Sequence, residues 1–215
     1  MNKEVLNMRH ARSKQNIGET EELDEGLSDF GKQQAIIVAR FIKRGLVKYM
    51  GHEFDMSKAK AFVSPFLRIL ETVRPLQQAF PSLEVTVCGD LGEYVNHYDY
   101  PELKVPNRKH LFPSYNWDSY QEETYNQKHH TDSWHLERLY NFYESLPTAT
   151  PSIVVSHGFP CLTINNVAIG NVSRVPRWDF SINNASISWV KHGEALWWGR
   201  NLYHEVENIA EFNEK

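Results

Sequence analysis

Apolar positions along the chain change period in a regular order. Val5 to Met8 is a short apolar run of the kind a buried strand makes. Ser28 and Asp29 then open a 3.6-residue pattern through Ala35, Ile36, Ala39, Phe41, Ile42 and Leu46, which predicts a helix with Ser28 as its cap. Ala61 to Ser64 reads as a second strand. Pro65 stands where a first helical turn tolerates proline, Leu67, Leu70, Val73, Leu76 and Phe80 follow at helical spacing, and Pro81 ends the run. Leu83 to Cys88 alternates like a strand. Ile153 to Ser156 with Leu162, Ile164 and Val167 makes another strand and helix pair, and Ser186 to Val190 and Ala195 to Trp198 read as closing strands. Strands alternating with helices predict an α/β fold, a three-layer α/β/α sandwich with a mostly parallel central sheet.

Between Tyr94 and His130 this periodicity stops, and Tyr, His, Asn and Pro dominate. The stretch 94–133 is an insertion, returned to the sheet by a helix that Thr131 or Ser133 would cap and that carries Trp134, Leu136, Leu139, Phe142 and Leu146. Its aromatic residues, Tyr94, Tyr98, Tyr100, Phe112, Tyr115, Trp117, Tyr120 and Tyr125, either line a substrate pocket or pack the insertion over the sheet. With 215 residues, no repeat and no linker, residues 1–215 form a single domain, in which only the last ten residues are expected to fray.

Charge and composition narrow the function. The net charge of −4 argues against a general nucleic-acid binder. No apolar stretch approaches the roughly 20 residues of a membrane span. The N-terminal segment has no apolar core of a secretory signal, so a cytoplasmic location is the default expectation. Cys88 and Cys161 sit in or beside apolar segments, as buried reduced thiols do.

Ligands in open α/β sheets bind beyond the carboxyl ends of strands. Three such ends read RHARSKQN (Arg9 to Asn16), SPFLRILET (Ser64 to Thr72) and VSHGFP (Val155 to Pro160). Arg9, His10, Arg68 and His157 would form a cationic cluster on an acidic protein, suited to a phosphate dianion because guanidinium forks match phosphate oxygens. A histidine among arginines is kept neutral, and its free lone pair makes it a nucleophile. His129, His130 and His135 lack the i, i+4 spacing of a zinc site and have no companion cysteine, so no metal is expected. The sequons at Asn171 and Asn184 are chance matches in a cytoplasmic protein.

The order of these motifs resembles the histidine phosphatase superfamily, the phosphoglycerate-mutase-like group, in its first branch. RHARSKQN resembles an RHG motif, LSDFGKQQA an LTxxGxxQA motif, SPFLRILETV an SPxxRxxQTA motif and VVSHGFP a VSHG motif, and NNASIS is similar to the group's late strand. The resemblance implies that His10 becomes phosphohistidine while Arg9, Arg68 and His157 hold the phosphoryl oxygens, with Asn16 either a further donor or the closer of a turn. Glu93 stands where the branch carries its proton-donating acid, with Asp90 as competitor, and Glu71 and Gln33 are expected to brace loops and helices. Ala11 replaces the usual glycine, and Arg12 with Lys14 would favour a substrate with a second negative group.

The expected activity is metal-independent phosphomonoester hydrolysis of a small phosphorylated substrate, with no cofactor. Alternatives are phosphoglycerate-mutase-type transfer and a catalytically silent phospho-ligand binding module. The short acidic segment Ile17 to Gly26 has no tryptophan and the insertion no RRSYD-like stretch, both of which favour hydrolysis over transfer. A homodimer is an expectation of the resemblance alone.

Overall fold

The computed structural model describes residues 3–94, 103–125, 132–171 and 182–205. In chain order the elements are β1 (Glu4–Arg9), α1 (Asp29–Lys43), β2 (Lys48–Tyr49), β3 (His52–Glu53), β4 (Lys60–Val63), α2 (Leu67–Ala79), β5 (Glu84–Val87), β6 (Leu103–Val105), β7 (Glu123–Tyr125), α3 (Asp132–Ser145), β8 (Ser152–Ser156), α4 (Gly158–Ala168), β9 (Ser186–Lys191), β10 (Glu194–Asn201) and α5 (Leu202–Glu205). Six strands form one sheet in the order β10-β9-β1-β8-β4-β5. The four from β1 to β5 are mutually parallel, and β9 and β10 add antiparallel partners at one side.

Alternate residues of each central strand enter different layers, because successive side chains on a strand point to opposite faces. Leu6 and Met8 of β1, with Ile153 and Val155 of β8, join the large core that includes Ala35, Val38, Ile42, Ile69, Leu70 and Val73 of α1 and α2. Val5 and Val154 face the other way, onto Leu139, Tyr143, Phe159 and Ile164 of α3 and α4. The sheet is buried on both sides, as parallel sheets are, and the predicted α/β/α architecture is present.

Helix α1 opens as expected, with Ser28 Oγ accepting from Gly31 N at 3.1 Å. It stops before the predicted Leu46. Gly45 takes a left-handed backbone (φ 62°), its N–H bonds Ile42 O, and Leu46 N–H bonds Phe41 O, which is the Schellman closure glycine permits. Leu46 and Ile36, both read as inward, are exposed, while Ile37 and Val38 fill the core instead. The two-residue hairpin β2-β3 and the pair β6-β7 carry too few residues for a periodic signal, and the sequence reading missed them.

Within the described part of the insertion, packing is the role the aromatics take. Phe112, Tyr115, Trp117 and Tyr120 are buried in the large core, and their polar tips are satisfied by Leu70 O, Phe112 O and Val105 O. Asn116 N bonds Val85 O at 2.7 Å and Asn116 O accepts from Val87 N at 2.9 Å, so the insertion covers the free edge of β5. Tyr98, Tyr100, His97, His129, His130, Thr131, the Tyr125 side chain and residues 206–215 lie outside the described residues. Cys161 is buried and Cys88 partly buried, and both are free thiols. Among the described residues no helix is long and apolar enough to cross a membrane.

Gly31 decides how α1 meets the loop after β1. A Cβ there would lie 2.0 Å from Arg12 O, so the loop carrying His10 and Arg12 could not keep its place. Gly31→Ala is expected to cost about 1–3 kcal/mol or more, despite alanine's better helix propensity, by overpacking. A lowered urea midpoint with unchanged m-value measures it.

Candidate active site

The carboxyl ends of β1, β8 and β4 are level. Arg9 stands opposite Ser156, and Val63 opposite Val155. The residues that follow these strands, His10, His157 and Ser64, therefore emerge side by side. His10 is anchored through its backbone, with its N–H on Ser156 O at 2.9 Å and its carbonyl accepting from Ala185 N at 3.0 Å and Asn184 Nδ2 at 3.2 Å. Arg68 reaches the same place from the first turn of α2.

His10 is buried, and its Nδ1 lies 2.7 Å from Ala11 O. A carbonyl only accepts, so Nδ1 carries the hydrogen and Nε2 presents its lone pair. Burial, the charge of Arg68, His157 and the charge of Arg9 together hold the His10 pKa well below its ordinary value, so the ring is neutral at neutral pH. Arg68 Nε stands 3.3 Å from that Nε2.

The guanidinium of Arg68 is buried and organises the pocket. Its Nη1 donates to Leu23 O, and its Nη2 lies 2.9 Å from His157 Nδ1 and 3.5 Å from Glu93 Oε2. His157 Nδ1 is also 3.2 Å from Glu93 Oε2, and its Nε2 is 2.9 Å from Ser64 Oγ. Burial lowers the His157 pKa to about 4, with Glu93 opposing and Arg68 assisting. Burial alone would raise Glu93, but attraction to His157 and Arg68 outweighs it and brings the carboxyl down to about 2. At neutral pH Glu93 is therefore a carboxylate. Arg9 Nη1 donates to Ile182 O, while Arg9 Nε is buried with no hydrogen-bond partner among the described residues.

All five of Arg9, His10, Arg68, Glu93 and His157 thus converge. Asp90 does not, because it lies exposed on the 3-10 turn Gly89–Leu91 before Glu93. Asn16 takes the turn role through its carbonyl: Oδ1 accepts from Ser13 N at 3.1 Å and from Asn184 Nδ2 at 3.1 Å, which leaves its Nδ2 as the donor a phosphate would need. Of the two proposed braces, Glu71 Oε2 accepts from Leu27 N at 2.6 Å. The other is Gln34 rather than Gln33, because Gln34 is the buried member of the pair and its Oε1 accepts from Arg12 N at 3.0 Å.

Two braces were missed by the sequence reading. Thr72 Oγ1 accepts from Ala11 N at 3.1 Å and donates to Arg68 O at 2.6 Å, tying the loop of His10 to the helix that carries Arg68. Asp24 Oδ1 accepts from Leu67 N at 2.9 Å and so caps α2, whose own cap position is Phe66 and offers no side-chain acceptor. Arg108 of the insertion holds Asp24 in place, with Nη2 to Oδ2 at 2.6 Å and both groups largely buried. Thr72 was visible in SPFLRILETV, one residue past the motif's acid. The pairing of Asp24 with Arg108 spans 84 residues and left no local signal.

His10, Glu93 and His157 also offer ligand atoms within 4.8 Å of one another, close enough for a metal. Arg68 approaches the ring nitrogens of both histidines from within the same space, and a guanidinium there repels a cation. The charge of the cluster fits an anion.

A family model described as the histidine phosphatase superfamily, branch 1, matches residues 5–203. The chain belongs to this superfamily. Comparison with curated proteins finds no match. Among solved structures this histidine phosphatase resembles the phosphoserine phosphatase of Entamoeba histolytica in complex with 3-phosphoglyceric acid, at 18% identity and TM-score 0.60, covering 91% of this chain and 94% of that one. It also resembles the alpha-ribazole phosphatase of Shigella flexneri, at 15% identity and TM-score 0.60, over 92% and 96% of the two chains. A mycobacterial glucosyl-3-phosphoglycerate phosphatase aligns at 16% identity and TM-score 0.55, over 91% and 96%. At such identities the likeness establishes the fold.

The buried charges set a pH dependence of stability. Both histidines have folded pKa values below the unfolded 6.5, so from about pH 6.5 down to 4 the unfolded chain binds more protons than the folded one. Stability must fall as the pH falls through that window, and Glu93 extends the loss from about pH 4.5 to 2. His157→Asn should give a shallower slope between pH 6.5 and 4 in urea unfolding across pH.

Proposed function

We propose that this protein is a phosphomonoester hydrolase that works without metal, through a phosphohistidine at His10. The observation that carries this reading is the unmatched charge of the pocket. Two guanidiniums face one carboxylate beside two neutral imidazoles, and the buried Arg9 Nε lacks a partner among the described residues. A buried net positive charge with an unsatisfied donor is stabilised by an anion.

With a phosphate ester in the pocket, Arg9, Arg68 and His157 bind the non-bridging oxygens, and Asn16 Nδ2 is a further donor. His10 Nε2, displaced from Arg68, attacks phosphorus in line with the ester oxygen. The N–P bond forms and the P–O ester bond breaks, while fixed positive donors stabilise the charge on the transferring group. Glu93 protonates the leaving oxygen. The carboxylate, ionised without substrate, gains proton affinity when substrate phosphate neutralises the arginine field around it, and it takes up a proton from solvent before donating it. It then takes a proton from water, which attacks phosphorus, breaks the N–P bond and releases inorganic phosphate.

Branch membership and structural neighbours named as phosphatases support hydrolysis, and so does the short acidic segment Ile17 to Gly26, which has no tryptophan. The partner of this reading is a small phosphorylated molecule.

Hydrolysis of para-nitrophenyl phosphate in the presence of chelator is expected for the wild type and should be abolished in His10→Ala, with an acid-labile phosphoryl adduct trapped only on the wild type. Arg68→Ala should lose about 10²- to 10³-fold in kcat, the cost of a preorganised transition-state donor. Full turnover by His10→Ala would overturn the proposal. A wild type that binds phosphate without turnover would point to a binding module, and label returned to a second phospho-acceptor to a mutase.

A further inference from the structure

Glu93 belongs to no helix or strand. It follows the turn Gly89–Leu91, and its carboxylate reaches His157 from a stretch of loop. Such a segment stays in place only if something outside it fixes the backbone. Ser156 Oγ donates to Leu91 O at 2.6 Å. On the other side of the loop stands α3. Arg138 Nη2 donates to Gly92 O at 2.6 Å, a buried bond one residue from Glu93. Three residues earlier on the same helix face, the His135 ring packs against Tyr94, with centroids 4.5 Å apart. Tyr94 N in turn donates to Glu93 Oε1 at 2.9 Å.

Arg138 is itself 7% exposed, with its guanidinium 4.5 Å from the centre of the Trp134 ring. Burying a guanidinium is costly, and a surface position on α3 would avoid that cost. Here the cost is offset by the aromatic face and by a charge-assisted bond to a carbonyl beside the acid. We propose that Arg138 is a positioning residue for Glu93: from α3 it grips the Gly92 carbonyl and so keeps the Glu93 carboxylate against His157 and Arg68. The inference rests on the reading of Glu93 as the proton donor to the leaving oxygen.

Two substrates of nearly the same shape separate positioning from general structural support. Phenyl phosphate expels a basic phenoxide that needs a proton, whereas para-nitrophenyl phosphate expels a stabilised anion that hardly does. For kcat/KM, which reports the steps through formation of the phosphoenzyme, Glu93→Gln should lose on the order of 10² on phenyl phosphate and far less on the nitrophenyl ester. Arg138→Met, in the full chain, should share that pattern. A loss of about 10-fold or more on phenyl phosphate is expected beside a change of about 2-fold on the nitrophenyl ester. Arg138→Lys, which keeps a cationic donor, should restore part of the ratio. If the methionine variant does not fold, the same ratio is read on Arg138→Gln. Equal losses on both substrates, or none, would overturn the positioning role while leaving Glu93 in the mechanism. A Glu93→Gln variant without leaving-group dependence would overturn the reading of Glu93 first, and the inference with it.

Discussion

One buried guanidinium holds this site together. Arg68 lies in the first turn of α2, 2% exposed, and its nitrogens reach Leu23 O, His10, His157 and Glu93. A cation placed so deep is tolerated only because a carbonyl and a carboxylate surround it. Each of its partners comes from a different part of the chain. His10 follows β1, His157 follows β8, Glu93 follows β5, and the carbonyl of Leu23 belongs to the segment between β1 and α1. Burial, with the charge of Arg68 assisting, keeps His10 unprotonated, so the charge that would bind a phosphoryl group also helps preserve the lone pair that would attack it.

The surroundings of Arg68 are built to keep α2 in register. Asp24 supplies the helix cap that Phe66 cannot, Arg108 of the insertion fixes Asp24, and Thr72 ties the helix back to the loop of His10. The acid is held by different means. Glu93 sits on a loop whose carbonyls are taken by Ser156 and Arg138. The two halves of the site therefore draw on different layers of the sandwich. Arg68 depends on α2 and the described part of the insertion, whereas Glu93 depends on α3 across the sheet.

The insertion illustrates how packing overrides local appearance. Phe112, Tyr115, Trp117 and Tyr120 have no period because they lie on a loop, yet all four belong to the main core. Aperiodic aromatics are consistent with lining a pocket or with packing, and their burial in the core, together with the bonds of Asn116 to the edge of β5, distinguishes the two. A similar limit explains Leu46. Its apolar character continues the α1 pattern, but Gly45 can adopt a left-handed backbone at little cost and the helix closes there.

The alternation of strands and helices, the cap at Ser28 and the strand-end residues that converge on the pocket could be read from the chain alone. Those signals are local: periodicity, a cap, and short motifs in which each residue is read beside its neighbours. Arg9, His10, Arg68 and His157 were legible in this way, whereas Glu93 was singled out only by the family resemblance, with Asp90 as its competitor. That Gln34 rather than Gln33 braces the loop, that Asp90 stays outside the pocket, and that Asp24, Arg108 and Arg138 support it emerges only once the chain is folded. The physical reason is that these roles depend on distance and burial between segments far apart in the chain. A carboxylate or guanidinium looks the same in sequence whether it faces water or a carbonyl 2.6 Å away.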